Sequence, residues 1–416
     1  MGMHIEVVNT GTELLLGTTL NSHGAWIGQR LMEQGLRVAR QTTVPDGEAV
    51  KQALAEAIER SDVLIVTGGL GPTSDDLTRE ATAEAMGIEL IEDEHALRVI
   101  ERFFANRGRP MAEGNRKQAL TPCGAEVLPN PNGTAPGVYV PPRLGKGSPC
   151  AVFLLPGPPN ELYPMYQAEV PHRLAALANL DADSGMHEMK FTGIGESDFH
   201  DGVDQKLHQV AGLEIGYCAR PGELDLRLIG SPEAREKGRA IVLAEYADEC
   251  ISEGGTSLEE TVVQLLTDQG LKLALAESCT GGLVASRVTD VPGASVVLTH
   301  GFVTYANEAK RDVLGVPQGF LEDYGAVSEE VARAMAEGAL NVSGADVAAA
   351  VTGIAGPGGG SEEKPVGTVW ISVARKGSKT IAYKAFKPWG RDVFKMVVSQ
   401  LVLDSVRRVA MNLPLA

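Results

Sequence analysis

Positive charge is in deficit in this 416-residue chain: Lys and Arg total 37 against 54 Asp and Glu, a formal net charge of −17. A global basic footprint for nucleic acid is thereby excluded, although a local patch is not. Cysteine is scarce as well. The five (Cys123, Cys150, Cys218, Cys250 and Cys279) are odd in number, and none stands in a Cys-x-x-Cys pair. That argues against a disulfide framework or a structural zinc site and for the cytoplasm. No apolar run reaches the ~18–20 residues of a membrane helix; runs such as Cys150-Ala-Val-Phe-Leu-Leu155 are strand-sized. The start, Met-Gly-Met-His-Ile-Glu, has no basic stretch leading into an apolar one, so no secretory signal is expected. Aromatics are only 5%, whereas Gly (48) and Pro (23) are plentiful, which suits an α/β enzyme with many Gly-lined turns.

The first stretch alternates strand and helix. His4–Val8, Leu36–Val44, Asp62–Val66 and Ala151–Leu155 read as strands, and the last two are the near-continuous apolar runs of buried parallel strands. Asn21–Gln34 has helical spacing with Gly35 at its end, Asp46 reads as the N-cap of a helix through Val50, Leu54 and Ile58, and Glu92–Asn106 is a further helix. A helix to Leu180 follows the strand at 151–155. The pattern predicts a doubly wound α/β domain over 1–180, whose ligands bind beyond the carboxyl ends of the strands. Asp181–Gly185 reads as a linker. Residues 181–255 read as a small α+β module: a helix through Phe199 and Leu207, strands Glu214–Cys218 and Leu224–Leu228, and a helix from Pro232 to Ile251. Residues 256–416 form a third, α/β segment, with Leu271–Ala276, Val296–Tyr305 and Asp346–Val351 among its strands.

Two regions carry chemistry. In the first domain, Gly68-Gly-Leu-Gly71 follows a buried strand and precedes Thr73-Ser-Asp-Asp-Leu-Thr78. Glycines let backbone N–H groups approach an anion, and Thr73 or Ser74 could cap the next helix, whose start favours phosphate. Asp75 and Asp76 beside such a site suggest a hard divalent cation. The plainer reading is a strand-to-helix turn with an acidic helix start. In the last segment, Glu277-Ser-Cys-Thr-Gly-Gly282 sits at a strand-to-helix turn. Ser278 is a candidate ligand or catalytic hydroxyl, while Cys279 reads as a nucleophile or, more simply, as a small core residue. Asn307 reads as an N-cap that places Lys310 on the first helical turn, where the local potential would lower its pKa towards that of a general base. The alternative is a solvated surface lysine.

Thr67-Gly-Gly-Leu-Gly71, Asp76-Leu-Thr-Arg-Glu80, Asn9-Thr-Gly-Thr-Glu13 and Pro45-Asp46 together resemble the molybdenum-cofactor-binding domain, and Pro156-Gly-Pro-Pro-Asn-Glu161 resembles the CinA (competence/damage-inducible) family more narrowly. That resemblance implies a metal-dependent ADP-ribose pyrophosphatase, with molybdopterin binding or adenylylation as the rival. It assigns substrate contacts to Thr12, Glu13, Gly68, Gly69, Gly71, Thr78, Asn160 and Glu161. It assigns a divalent cation such as Mg²⁺ to Asp46, Asp75 and Asp76, with Asp76 catalytic. The C-terminal motifs, including Thr352-Gly-Ile-Ala-Gly-Pro357, Lys364-Pro-Val-Gly-Thr-Val-Trp370 and Gly390-Arg-Asp392, resemble the nicotinamide-nucleotide amidase domain of the same family. The resemblance implies a Ser/Lys amide hydrolase without cofactor, with Ser295 as nucleophile and Lys310 as base. Ser278, Tyr305 and Thr352 fill supporting positions, and Gly353, Gly356 and Arg391 seat the phosphate. The family's Gly-Ser-Ser reads Gly293-Ala294-Ser295 here, so a flanking hydroxyl is lost. The middle module resembles a K-homology-like domain, but no Gly-x-x-Gly clamp with basic flanks is evident. A cytoplasmic homodimer acting on nicotinamide mononucleotide and ADP-ribose, with no membrane or nucleic-acid partner, is the resulting expectation. The alternative is a regulatory competence or DNA-damage protein with inactive nucleotide sites.

Overall fold

The computed structural model describes residues 3–144, 148–178 and 185–415. It divides into two compact units, Met1–Met186 and His187–Ala416.

The first unit is built on a mixed six-stranded sheet. Strands β1 (Ile5–Thr10), β2 (Val38–Val44) and β3 (Val63–Thr67) come first. A separate antiparallel pair, β4 (Leu90–Glu92) and β5 (Leu120–Pro122), follows. Then come β6 (Glu126–Leu128), β7 (Gly137–Val140) and β8 (Ala151–Leu155). The main order is β2-β1-β3-β8-β7-β6, parallel from β2 to β8 and antiparallel beyond. Every residue of β1, β3 and β8 is buried, because helices cover both faces. Val7, Ile65 and Phe153 pack with Ile27 and Leu31 on one face. Val8, Leu64 and Leu154 pack with Val50, Leu54 and Ile58 on the other. The doubly wound expectation therefore holds, with an antiparallel edge that short β6 and β7 add. The helix expected to reach Leu180 is two, Pro159–Glu169 and Pro171–Ala178, since Pro171 cannot continue the first helix's hydrogen-bond ladder.

In the second unit, β9 (Gly185–Thr192), β10 (Glu214–Arg220), β11 (Glu223–Gly230) and β12 (Cys250–Ser252) form a sheet ordered β10-β11-β9-β12. Strands β9 and β12 are additions to the sequence reading, and the helix expected to reach Ile251 stops at Tyr246. Met189, Phe191, Phe199, Leu207, Leu226 and Val242 make the core of this module. The linker reading at 181–184 lies outside the described residues. Ser257 then caps the helix Leu258–Asp268 in a reciprocal capping box with Glu260.

A five-stranded sheet follows, of β13 (Leu273–Glu277), β14 (Leu298–Val303), β15 (Val347–Gly353), β16 (Thr368–Arg375) and β17 (Ile381–Phe386). Its order is β14-β13-β15-β16-β17, the first three parallel and the rest antiparallel. The helix Glu329–Ser343 covers one face, and the helices Leu258–Asp268 and Arg391–Ala410 cover the other. The last helix also binds the preceding module. Asp404 accepts from Arg407 Nε and Arg408 Nε, each at 2.8 Å, and Arg407 donates to Cys250 O (3.1 Å) and Asp248 O (2.6 Å). A buried arginine is tolerable here because its charge is paired and its remaining donors find carbonyls.

Candidate functional site

The parallel strands of the second unit release their polar residues at one edge of the sheet. β13 ends at Glu277 and hands the chain to Ser278. β14 ends at Val303, and after Thr304 and Tyr305 a helix starts at Asn307, with Ala306 rather than Asn307 in the N-cap position. Lys310 on that helix is 1% exposed, so it is not a solvated lysine. Its Nζ lies 3.1 Å from Ser278 Oγ, 2.9 Å from Thr304 O and 3.0 Å from Tyr305 O. Burial lowers its pKa, against the opposing pull of Cys279 and Glu308.

An ammonium can donate to all three partners, and they suit the neutral amine as well. Two are carbonyl oxygens, which can only accept, and they take the two N–H bonds of an –NH₂ group. The third is a hydroxyl, which can donate to the remaining lone pair. Lys310 is therefore placed to hold the Ser278 proton. The turn bearing Ser278 is fixed by Glu277, 2% exposed. Its carboxylate accepts from Thr280 Oγ1 (2.6 Å), Gly282 N (3.0 Å), Val284 N (3.1 Å) and Ala285 N (2.8 Å). Sequence reasoning missed this role, although an acid four residues before the Gly281-Gly282 helix start was a visible signal. Cys279 is buried in the core, and burial pushes its thiol up to about 12, which leaves no thiolate for catalysis near neutral pH.

Ser295 is not part of this arrangement. It is exposed, in a 3₁₀ turn (Ala294–Val296) that precedes β14. There Leu273 N donates to Val297 O at the start of both strands, whereas Ser278 and Lys310 lie past their ends. Six strand residues at roughly 3.3 Å each separate the two edges, so the expected Ser295–Lys310 pair is not formed. Tyr305, Gly356 and Arg391 are brought together: Arg391 donates to Gly356 O (2.9 Å) and to the Tyr305 hydroxyl (3.1 Å). Thr352 instead donates to Ala326 O (2.7 Å), and Gly353 is the last residue of β15, opposite Val369.

In the first unit a cavity of about 350 Å³ opens beyond the carboxyl ends of β1, β3 and β8. Glu13, Asp46, Asp76 and Glu161 line it with Gly68, Gly69 and Gly71. Gly68 and Gly69 have φ of 93° and 65°, and a Cβ on Gly68 would lie 2.6 Å from Thr10 Oγ1, so the turn requires glycine. Thr10 is also on the wall, and among the described residues its buried hydroxyl has no partner. Arg79, 1% exposed, donates to Leu70 O (2.8 Å) and Pro136 O (3.0 Å), tying two sides of the wall together. It is a residue the sequence reading did not single out.

Several expected ligands also have partners within the fold. Asp46 does not cap a helix: Ala49–Arg60 begins after Glu48, and Asp46 Oδ2 accepts from Thr12 N (2.9 Å) and Thr12 Oγ1 (3.2 Å). Neither Thr73 nor Ser74 caps the helix Thr78–Met86, whose N-cap is Leu77; Thr73 N and Oγ1 donate to Asp76 Oδ2. Thr78 Oγ1 donates to Gly68 O (3.0 Å), and Asn160 O accepts from Asn132 (2.8 Å). Thr12, Asp75, Thr78 and Asn160 are off the cavity wall. Among the described residues no group of three metal-binding side chains is gathered, so the triplet Asp46, Asp75 and Asp76 is not assembled.

Comparison with known proteins agrees with both halves. Residues 255–410 match the family described as CinA C-terminal domain, and residues 6–176 match the one described as "Probable molybdopterin binding domain". A CinA-like protein of Akkermansia muciniphila is 52% identical over 401 residues, covering 96% of both chains. A putative competence-damage inducible protein of Caldicellulosiruptor bescii is 46% identical, covering 90% of this chain and 91% of that one. The crystal structure of competence/damage inducible protein CihA from Agrobacterium tumefaciens is 43% identical over 37% of this chain and 93% of that chain, with a TM-score of 0.36. The fold and these relatives define a two-part α/β protein. The chain belongs to the CinA family of competence-damage inducible proteins. Among the described residues no helix is long and apolar enough to cross a membrane.

Proposed function

We propose that the Ser278–Lys310 pair hydrolyses the carboxamide of nicotinamide mononucleotide to nicotinic acid mononucleotide and ammonia, a step of pyridine-nucleotide salvage. The observation that carries this reading is a buried lysine whose partners are one serine hydroxyl and two carbonyls. Ser278 Oγ attacks the amide carbon as Lys310 Nζ takes its proton. Collapse of the tetrahedral intermediate breaks the C–N bond, and the proton on Lys310 goes to the departing ammonia. Water, deprotonated by the same amine, then cleaves the acyl-serine and restores the hydroxyl. The chemistry needs no cofactor. Mass spectrometry of products after incubation with nicotinamide mononucleotide tests it: the wild type should yield the acid and Ser278→Ala should not.

A second reading concerns the first unit, where we propose metal-dependent cleavage of ADP-ribose to AMP and ribose 5-phosphate. It is favoured by the Gly68–Gly71 turn on the wall of a carboxylate-lined cavity. The oxygen donors of Asp46 and Asp76 suit a hard cation such as Mg²⁺, which takes one or two carboxylates and completes its shell with water and substrate phosphate. Bound there, the cation would neutralise charge on the pyrophosphate. Asp76 is held in place by Thr73, and Asp46 by Thr12. Incubation with ADP-ribose with and without EDTA tests this reading, and tight molybdopterin binding without hydrolysis would favour its rival.

A further inference from the structure

We infer that Lys395 completes an anion seat beside Ser278 and, with Arg391, selects carboxamide substrates that carry a phosphomonoester; this deepens, and rests on, the amidase reading. Arg391 and Lys395 are four residues apart on the helix Arg391–Ala410, which places them on one face about 6 Å apart. Arg391 spends two of its five N–H groups on Gly356 O and the Tyr305 hydroxyl. Lys395 is half-buried and reaches the other side of the site. Its Nζ stands 3.9 Å from where a Cβ on Gly281 would lie. Gly281 N donates to Ser278 O at 3.1 Å, and Tyr305 O accepts from Lys310. The two cations therefore bracket the Ser278–Lys310 pair, one through Tyr305 and the other over the Ser278 turn.

Among the described residues neither cation has an ion-pair partner. Asp392, the nearest acid in sequence, points about 100° round the helix from Arg391. A half-buried ammonium without a partner is costly, and a ligand anion offsets that cost. A phosphomonoester carries close to two negative charges near pH 7, more than one guanidinium balances. An unphosphorylated nicotinamide riboside would leave both cations unpaired.

The test uses the full chain and measures kcat/KM by ammonia release on nicotinamide mononucleotide and on nicotinamide riboside. Replacing Lys395 by Met should lower the mononucleotide-to-riboside ratio about tenfold or more, mainly through KM, and Lys395→Arg should retain most of it. Inorganic phosphate should compete with the mononucleotide, about tenfold less well in Lys395→Met. Equal losses on both substrates, or no change in the ratio, overturn the inference. If the wild type hydrolyses neither amide, the amidase reading fails by itself and calorimetric titration with nicotinamide mononucleotide decides the seat. Weaker binding by Lys395→Met than by wild type then supports it, and equal binding overturns it.

Discussion

The two candidate sites sit in the same place in their sheets, beyond the ends of parallel strands, yet they are finished to different degrees. At Ser278 the hydrogen bonds close on protein groups: Lys310 has its three partners and Glu277 has four donors. In the first unit, among the described residues, the buried Thr10 hydroxyl has no partner, and the carboxylates of Glu13, Asp46, Asp76 and Glu161 share a wall without forming a closed cluster. A general base must be held neutral and close before substrate arrives, which demands burial and fixed partners. A site that meets a charged pyrophosphate through a cation can leave part of its coordination to the ligand.

That contrast breaks first at the Ser278–Lys310 pair. Ser278→Ala should lower amide hydrolysis by about 10³-fold or more, and Lys310→Ala by about 10²–10⁴-fold, with Lys310→Arg no better because arginine stays charged. Ser295→Ala should remain within about threefold of wild type, because it lies at the opposite edge of the sheet. Steady-state ammonia release reads all four, and an inactive Ser295→Ala beside an active Ser278→Ala would reverse the assignment. The same logic applied to the first unit predicts that Asp76→Ala or excess EDTA removes ADP-ribose cleavage, an effect of about 10²-fold or more. Amide hydrolysis should continue in both cases. Loss of both activities together would mean that the two sites are not independent.

The pH profile sharpens the comparison. Only neutral Lys310 accepts a proton, and burial holds its pKa below the ordinary lysine value of ~10.4. Amide hydrolysis should therefore rise as pH is raised through that depressed pKa and level off before ~10.4. A rate still climbing beyond that point contradicts a buried base. A smaller effect is expected at Glu277. In Glu277→Gln the side chain presents an NH₂ to backbone N–H groups, costing about 1–3 kcal/mol of stability, measurable by denaturant unfolding. Cys279→Ala, like Ser295→Ala, should leave the rate within about threefold of wild type, because its thiol only fills the core.

Much of this was legible in the residues. The apolar runs at 62–66 and 151–155 and the strand-to-helix turns at Gly68 and Ser278 read correctly, because burial on both faces leaves a local pattern. Short strands did not. β6, β7 and β12 have only three or four residues, too few for periodicity to register. β9 alternates, with Met189 and Phe191 turned inward, but its polar Glu188 and Lys190 mask the apolar set. The Ser295–Lys310 pair implied by the family resemblance is not formed, because the strand expected at Val296–Tyr305 lies between the two residues. A strand carries its two ends to opposite edges, so that expectation already argued against the pair. Asp46 shows the converse limit: only the fold shows that Thr12, 34 residues away in sequence, occupies its carboxylate.

The last helix has a consequence for anyone who would cut the chain apart. It begins at Arg391 beside the Ser278–Lys310 pair and ends by holding Cys250 O and Asp248 O with Arg407. Composition places the natural cleavage point at Gly254-Gly255. A truncation there discards both carbonyls and leaves a buried guanidinium facing water it was not shaped to meet. Starting the fragment a few residues upstream of Asp248 keeps the short strand Cys250–Ser252 as a cap on that helix, so the better boundary lies inside what looks, in sequence, like the neighbouring domain.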